Sequence, residues 1–166
     1  MERAIDFLKS VFPKHPANLK ELARFEGRTY RNSPLTIVRY ENASHGPYSE
    51  YFVALKDAKI VGCVGISPEG KNYFLRMIKP KTWKTHLAPG VAGKGIMPAL
   101  HAHALESLLE RKGVKIVSAE GNIVSRGWED KLEKLHGLID FESTTWDLNE
   151  LRKKQDWKVF LLREEK

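Results

Sequence analysis

Residues 87–113 read LAPGVAGKGIMPALHAHALESLLERKG, which brings Gly90, Gly93 and Gly95 into six positions and then opens a long amphipathic pattern. A glycine-rich turn that feeds a helix aims several backbone N–H groups, and the positive end of the helix dipole, at whatever lies above it. Glycine serves such a turn in two ways: a side chain would hold a ligand off the backbone, and successive N–H groups point together only when some residues take unusual φ/ψ values. Phosphate fits this place, and Lys94 adds a charge in its middle.

Two common phosphate motifs fail here. A P-loop needs G-x-x-x-x-G-K-[ST]; Ala88 stands at its first glycine, and Gly95 stands where a hydroxyl should hold Mg²⁺. A dinucleotide fingerprint from Gly93-x-Gly95 needs a small residue where Pro98 stands, and no early acidic ribose ligand follows. GVAG also matches the Gly-x-x-Gly loop of a KH-type RNA-binding module, but that loop joins two helices, and WKTHLAPG before it reads as extended.

The loop needs a frame. Downstream, Leu100, Ala104, Leu108 and Lys112 step by four with Leu105 and Leu109 beside them, Pro98 sits in the first turn and Gly113 is a natural stop. Upstream, ERAIDFLKSVF and NLKELARFEGRTY carry apolar residues at helical spacing with Pro13 and Pro16 between them, which predicts an N-terminal helical segment over about residues 1–32. PLTIVRYE, SEYFVALKD and AKIVGCVGIS read as strands, the last two joined by a short turn at LKDA; YFLRMIK and PKTWKTHLA add one or two more. VKIVSAEGN predicts a short strand, SRGWEDKLEKLHG a helix, and LIDFESTTWDL and DWKVFLLREE two final strands. The sum is one α/β domain over residues 1–166, with a mixed, mostly antiparallel central sheet flanked by helices.

The composition agrees with a packed globular protein: 42% of residues are hydrophobic and 30% charged. The single cysteine, Cys63, lies in an apolar run and excludes both an internal disulfide and a cysteine-based zinc cluster. The first residues lack the apolar core of a signal peptide and no stretch is long enough to span a membrane, so a cytoplasmic protein is expected. His101 and His103 lie two apart on a helix, a spacing unsuited to a shared metal, and no metal is expected; they read as solvated or packing residues. A net charge of +7 makes an anionic partner plausible without identifying it.

The order of elements and GVAGKG together resemble the Gcn5-related N-acetyltransferases (GNAT), whose acetyl-CoA loop reads Gln/Arg-x-x-Gly-x-Gly/Ala between a strand and a long helix. Gly93 and Gly95 match its two glycines, VKIVSAEGN resembles the next strand with its terminal Asn122, and WEDKLEKLHGLIDFE is similar to the helix and turn after it. The resemblance covers residues 51–142. It implies an acyl-CoA-dependent N-acyltransferase, most simply for acetyl, in which a primary amine attacks the thioester directly. It implies a coenzyme held by Leu87, Ala88, Val91, Gly93, Lys94, Gly95, Ile96 and Asn122, with the thioester carbonyl and pantetheine against the backbone of Leu87 and Ala88.

Such a site needs a base, and His86 is preferred because imidazole titrates near neutrality, with Glu120 second. Two positions depart from the family pattern: Gly90 replaces the usual Gln or Arg, and Leu132 stands where many members carry a tyrosine acid. Tyr48 and Tyr51 offer phenols nearby, though tyrosines beside a Gly-Pro turn usually pack. Arg76, Lys79, Lys81 and Lys84 around Trp83 suit either the phosphates of CoA or a nucleic-acid backbone with the indole stacked on a base. The acceptor is thus expected to be a primary amine, with RNA, DNA or a nucleic-acid-associated protein as the carrier that the basic stretch suggests. The alternatives are an inactive GNAT-like protein that binds acyl-CoA or RNA/DNA, and a homodimer formed through the last strand.

Overall fold

The computed structural model describes residues 4–11, 18–43, 48–69, 72–111, 116–119, 139–140, 145–147, 152–153 and 156–164. Helix α1 (Ala4–Val11) precedes five strands, β1 (Leu19–Arg28), β2 (Pro34–Asn42), β3 (Glu50–Lys56), β4 (Lys59–Glu69) and β5 (Asn72–Met77). Helix α2 (Ile96–Leu109) then leads to β6 (Ile116–Ala119), β7 (Ile139–Asp140), β8 (Thr145–Asp147) and a short 3-10 helix, Asp156–Phe160. The described strands form one sheet in the order β1-β2-β3-β4-β5-β6-β8-β7. Every neighbouring pair is antiparallel except β5 and β6, whose parallel pairing requires the crossover that α2 supplies. This is the α/β architecture the sequence predicts.

Strand alternation sorts the apolar residues onto two faces. Phe52, Ala54, Ile66 and Leu75 share a core with α2, while Tyr51, Val53, Ile60 and Cys63 share another with Phe7 and Leu8 of α1. Strand β3 is buried on both sides, which is why SEYFVALKD is a nearly continuous apolar run rather than an alternating one. Asp57 and Ala58 turn into β4 with φ of 52° and 61°, the left-handed pair that a tight two-residue hairpin uses. Tyr48 and Tyr51 belong to the α1 core, so they pack, and Cys63 is fully buried there.

The N-terminal region departs from expectation. One helix is present, at residues 4–11, but NLKELARFEGR is the edge strand β1 and not a second helix. The cause is a register shift between Glu21 and Ala23, which turns Leu22 outward to 41% exposure. Leu19, Leu22, Ala23 and Phe25 then imitate helical spacing, whereas past the bulge Ala23, Phe25 and Gly27 alternate with Arg24 and Glu26 in strand fashion. DWKVFLLREE also differs. Trp157 and Phe160, three apart, are both buried while Lys158 and Val159 are exposed, so the segment turns as a 3-10 helix, and among its described residues Arg163 alone pairs with the sheet, at Arg28. LIDFESTTWDL is two short paired strands, β7 and β8, rather than one. The helix expected at SRGWEDKLEKLHG lies outside the described residues.

The 3-10 segment covers the outer side of α2: Trp157 and Phe160 join the same core as Leu100, Leu105 and Leu108. The helix is therefore buried all round, and its two histidines with it. His101 Nδ1 bonds the Met97 carbonyl at 2.8 Å. His103 Nε2 accepts the Leu162 N–H at 3.1 Å, and its ring lies 4.5 Å from that of Phe25.

Burial pushes both imidazoles down to about 4; at His101 the Met97 hydrogen bond opposes the shift and repulsion from His86 adds to it. The native values lie below the unfolded value of 6.5, so between pH 6.5 and 4 the unfolded chain binds protons that the native chain refuses. Stability contributed by these groups is complete above pH 6.5 and falls as the pH drops toward 4, by up to roughly 3 kcal/mol for each histidine. Urea unfolding at half-unit pH intervals is expected to show this fall, and His103→Leu is expected to make it shallower; an unchanged slope in that variant would show that His103 is not buried neutral.

Candidate coenzyme loop

The segment after β5 leaves the sheet at Ile78, whose N–H still donates to the Cys63 carbonyl at 2.9 Å, and returns at Leu87, which bridges Gly62. The Ala88 N–H donates to the Val61 carbonyl at 2.9 Å. Leu87–Ala88 thus extends the β4 edge beyond the point where β5 ends. That donor is already used within the fold, so the Ala88 amide cannot also hold a pantetheine. The strand that pairs with β6 is β5, through Tyr73↔Val117, Phe74↔Ser118 and Leu75↔Ala119. Ile78 turns its N–H to β4, so by alternation the polar groups of Met77 face the β6 side, just past the last of those three pairs. Sequence reasoning missed Met77; its signal was the continuity of YFLRMIK with a parallel partner strand.

The glycine loop follows. Gly90, Gly93 and Gly95 have φ of 81°, 79° and 80°, values in the left-handed region that side chains resist. A Cβ on Gly90 or Gly93 would meet nothing within 4 Å among the described residues, so both face space that these leave open. A Cβ on Gly95 would lie 2.9 Å from Cδ1 and Cε1 of Tyr30 and 3.2 Å from Cβ of Thr29, so glycine there serves close packing. Thr29 also fixes the loop, with Oγ1 donating to the Lys94 carbonyl at 2.5 Å. These contacts cross from the β1–β2 turn and had no local signal in the sequence.

Gly95 is the N-cap of α2. It supplies no side-chain cap, the first turn holds no acidic residue, and Pro98 brings no N–H. The opening N–H groups of α2, at Ile96 and Met97, have no carbonyl one turn back within the helix to bind, and the dipole there is positive. An uncapped helix start beside two open glycines is a cradle for an anionic, multi-oxygen ligand.

The residues singled out by sequence are partly gathered here. Leu87, Ala88, Val91, Gly93, Lys94, Gly95 and Ile96 lie on one continuous segment; Lys94 is exposed, Ile96 is buried, and Leu87, Ala88 and Val91 pack partly against the α2 core. His86 is half-buried at the head of that segment and close enough to His101 to repel its protonated form. Glu120, Asn122 and Leu132 lie outside the described residues. In the basic stretch, Trp83 packs on Phe7 with ring centres 5.3 Å apart, and Lys79 Nζ donates to the Trp83 carbonyl at 3.0 Å. Arg76 lies over Phe74, which leaves Lys81 and Lys84 as the exposed cations of that group. Among the described residues, no cluster of three or more His, Cys, Asp or Glu residues is placed to hold a metal, and no helix is long and apolar enough to cross a membrane.

A family model described as the acetyltransferase (GNAT) family matches residues 17–128. That span is more than half of the chain and contains β1 to β6, α2 and the whole glycine loop. A search of curated proteins gives no match.

Proposed function

The chain belongs to the acetyltransferase (GNAT) family, and from that premise we propose that it transfers an acetyl group from acetyl-CoA to a primary amine by direct attack on the thioester. The observation that carries this reading is the uncapped start of α2 behind Gly90 and Gly93, two left-handed glycines with open space where side chains would stand. The residues present fit the coenzyme: the loop and the first-turn N–H groups would take its diphosphate, with Lys94 alongside. Bound acetyl-CoA supplies an electrophilic carbonyl and a thiolate leaving group.

This chain's own residues then have three tasks. The Met77 N–H, facing the side where β5 and β6 pair, is positioned to donate to the oxygen that gains charge as the amine adds. His86 takes the proton that the attacking ammonium must lose, either directly or through a water. The C–N bond forms as the C–S bond breaks, and the departing thiolate acquires a proton. For this last step the buried Tyr48 and Tyr51 are unsuited, because they sit in the core shared with α1.

His86→Ala is expected to slow thiol release from acetyl-CoA by at least about tenfold with little change in the KM for acetyl-CoA, since a base acts in the transition state rather than in coenzyme binding. A variant as fast as the parent would exclude His86 as the base. The proposal as a whole is tested by calorimetric titration with acetyl-CoA, followed by a panel of amines read by mass shift. Exposed Lys81 and Lys84 and the net charge of +7 favour an acceptor carried on an anionic molecule, including nucleic acid or a protein bound to it.

A further inference from the structure

The β1–β2 turn touches the glycine loop at two points. Thr29 Oγ1 donates to the Lys94 carbonyl at 2.5 Å, and the Tyr30 ring stands where a Gly95 side chain would be, with Cδ1 and Cε1 2.9 Å from the place of its Cβ. A trans peptide sets its C=O and N–H on opposite sides of one planar unit, so tying the Lys94 carbonyl to Thr29 turns the Gly95 N–H away from the hairpin. That N–H is among the donors that a diphosphate above the loop needs. The turn is stiff enough to act as a template. The Asn32 N–H donates to the Thr29 carbonyl at 2.8 Å, the Thr29 N–H to the Ser33 carbonyl at 2.9 Å, the Ser33 N–H to Thr29 Oγ1 at 3.2 Å and Lys56 Nζ to Ser33 Oγ at 2.7 Å.

Tyr30 is braced in turn from far along the chain. The Phe160 ring meets it edge-on with centres 5.1 Å apart, and Arg163 Nη2 donates to its carbonyl at 3.3 Å. Both braces belong to residues 156–164, which dock on the outer side of α2 through the buried Trp157 and Phe160. Past Phe160 the grip lightens: the Leu162 N–H donates to His103 Nε2 at 3.1 Å, Arg163 and Arg28 exchange two backbone bonds of 2.8 Å, and Arg163 and Glu164 are exposed. A segment held in this way opens at a lower free-energy cost than the strands it lies against.

We infer that Thr29 and Tyr30 are positioning residues for the coenzyme loop, and that the docking of residues 156–164 on Tyr30 is coupled to coenzyme binding. The inference rests on the reading of the loop as the diphosphate site. Phe160 acts through Tyr30: while the ring is held, Gly95 keeps its φ of 80° and α2 starts with its N–H groups gathered, and when the ring swings away the loop loses that wall. Coupling of this kind is reciprocal. Whatever the docked segment adds to coenzyme affinity, bound coenzyme adds to the stability of the docked segment.

Two measurements on the intact protein test this. In wild type, saturating acetyl-CoA is expected to slow amide exchange at Leu162 and Arg163 by at least about threefold more than at Ala43, whose N–H bonds the Asn18 carbonyl at the opposite end of the β1–β2 hairpin and reports general stabilisation. Calorimetric affinity for acetyl-CoA is then compared among Phe160→Leu, Tyr30→Leu, their double variant, Tyr30→Phe and Val159→Ala. Each leucine variant is expected to bind about tenfold more weakly, whereas Tyr30→Phe, which keeps the ring, and Val159→Ala, on the exposed side of the same segment, bind as wild type does. The double variant is expected to lose no more than Tyr30→Leu alone, because Phe160 has no route to the loop once the ring is gone. Losses that multiply in the double variant, full affinity in Phe160→Leu, or exchange at Leu162 and Arg163 that follows Ala43 overturns the coupling and leaves the loop reading standing. Failure of wild type to bind acetyl-CoA overturns both.

Discussion

Gly93→Val is expected to lower the affinity for acetyl-CoA by at least about a hundredfold, roughly 2.7 kcal/mol, while the protein remains folded. At Gly93 a Cβ would meet no atom of the described residues within 4 Å, so among them the substitution costs the fold only its backbone conformation. With φ at 79°, a branched side chain pays about 1–2 kcal/mol of strain, which a domain of ordinary stability survives. The ligand fares worse, because the new methyl groups fill the space above the loop and hold phosphate oxygens away from the N–H groups of α2. Gly95→Val would be a poorer experiment: its Cβ would strike the Tyr30 ring and Thr29, so lost binding would follow from lost packing. Calorimetry with acetyl-CoA, paired with a thermal melt, separates the two. Undiminished binding by a folded Gly93→Val protein would show that the glycines serve the chain alone and that phosphate binds elsewhere.

How much of this was legible beforehand depends on the range over which each interaction acts. The loop and α2 could be read because their signals are local: three glycines in six residues, then a four-residue apolar step. Strands β2 to β5 could be read because residues that face a core along a strand declare themselves by type. β1 was obscured by the bulge at Leu22, where one extra residue converts a period of two into something nearer a helix. The partners of the loop were beyond reach. Thr29 meets Lys94 across 65 residues and Arg163 meets Tyr30 across 133, and nothing in TYRN or LLREE announces either contact. Leu87–Ala88 illustrates a middle case: its extended character was visible, but not that it would join β4 and spend the Ala88 N–H there.

The same long-range logic makes Glu50 a side chain whose loss should damage stability severely. It begins β3 at 4% exposure, and Oε1 accepts from Arg39 Nε at 2.8 Å and Nη2 at 2.5 Å. Its other oxygen faces Arg111, which follows α2 and lies 4.8 Å over the Tyr73 ring. One carboxylate therefore compensates two half-buried guanidinium groups and ties the end of α2 to strands β2 and β3. Burial, and then repulsion from Arg39, already push the Arg111 pKa down, which reports how poorly this place tolerates a second positive charge. Glu50→Gln keeps the shape and removes the charge, leaving two cations facing each other without their anion. Breaking a buried pair in this way costs about 3–5 kcal/mol, which in a domain of this size lowers the melting temperature by roughly 10 °C or more. Replacing Glu50, Arg39 and Arg111 together by apolar residues of similar size is expected to recover most of that loss, because the penalty comes from uncompensated charge. Since the cluster lies at the far end of α2 from the loop, acetyl-CoA affinity measured well below the melting temperature is expected to change less than threefold. Thermal melts of the single and triple variants decide the matter: a Glu50→Gln protein as stable as the parent would mean that solvent, rather than Glu50, neutralises the two arginines.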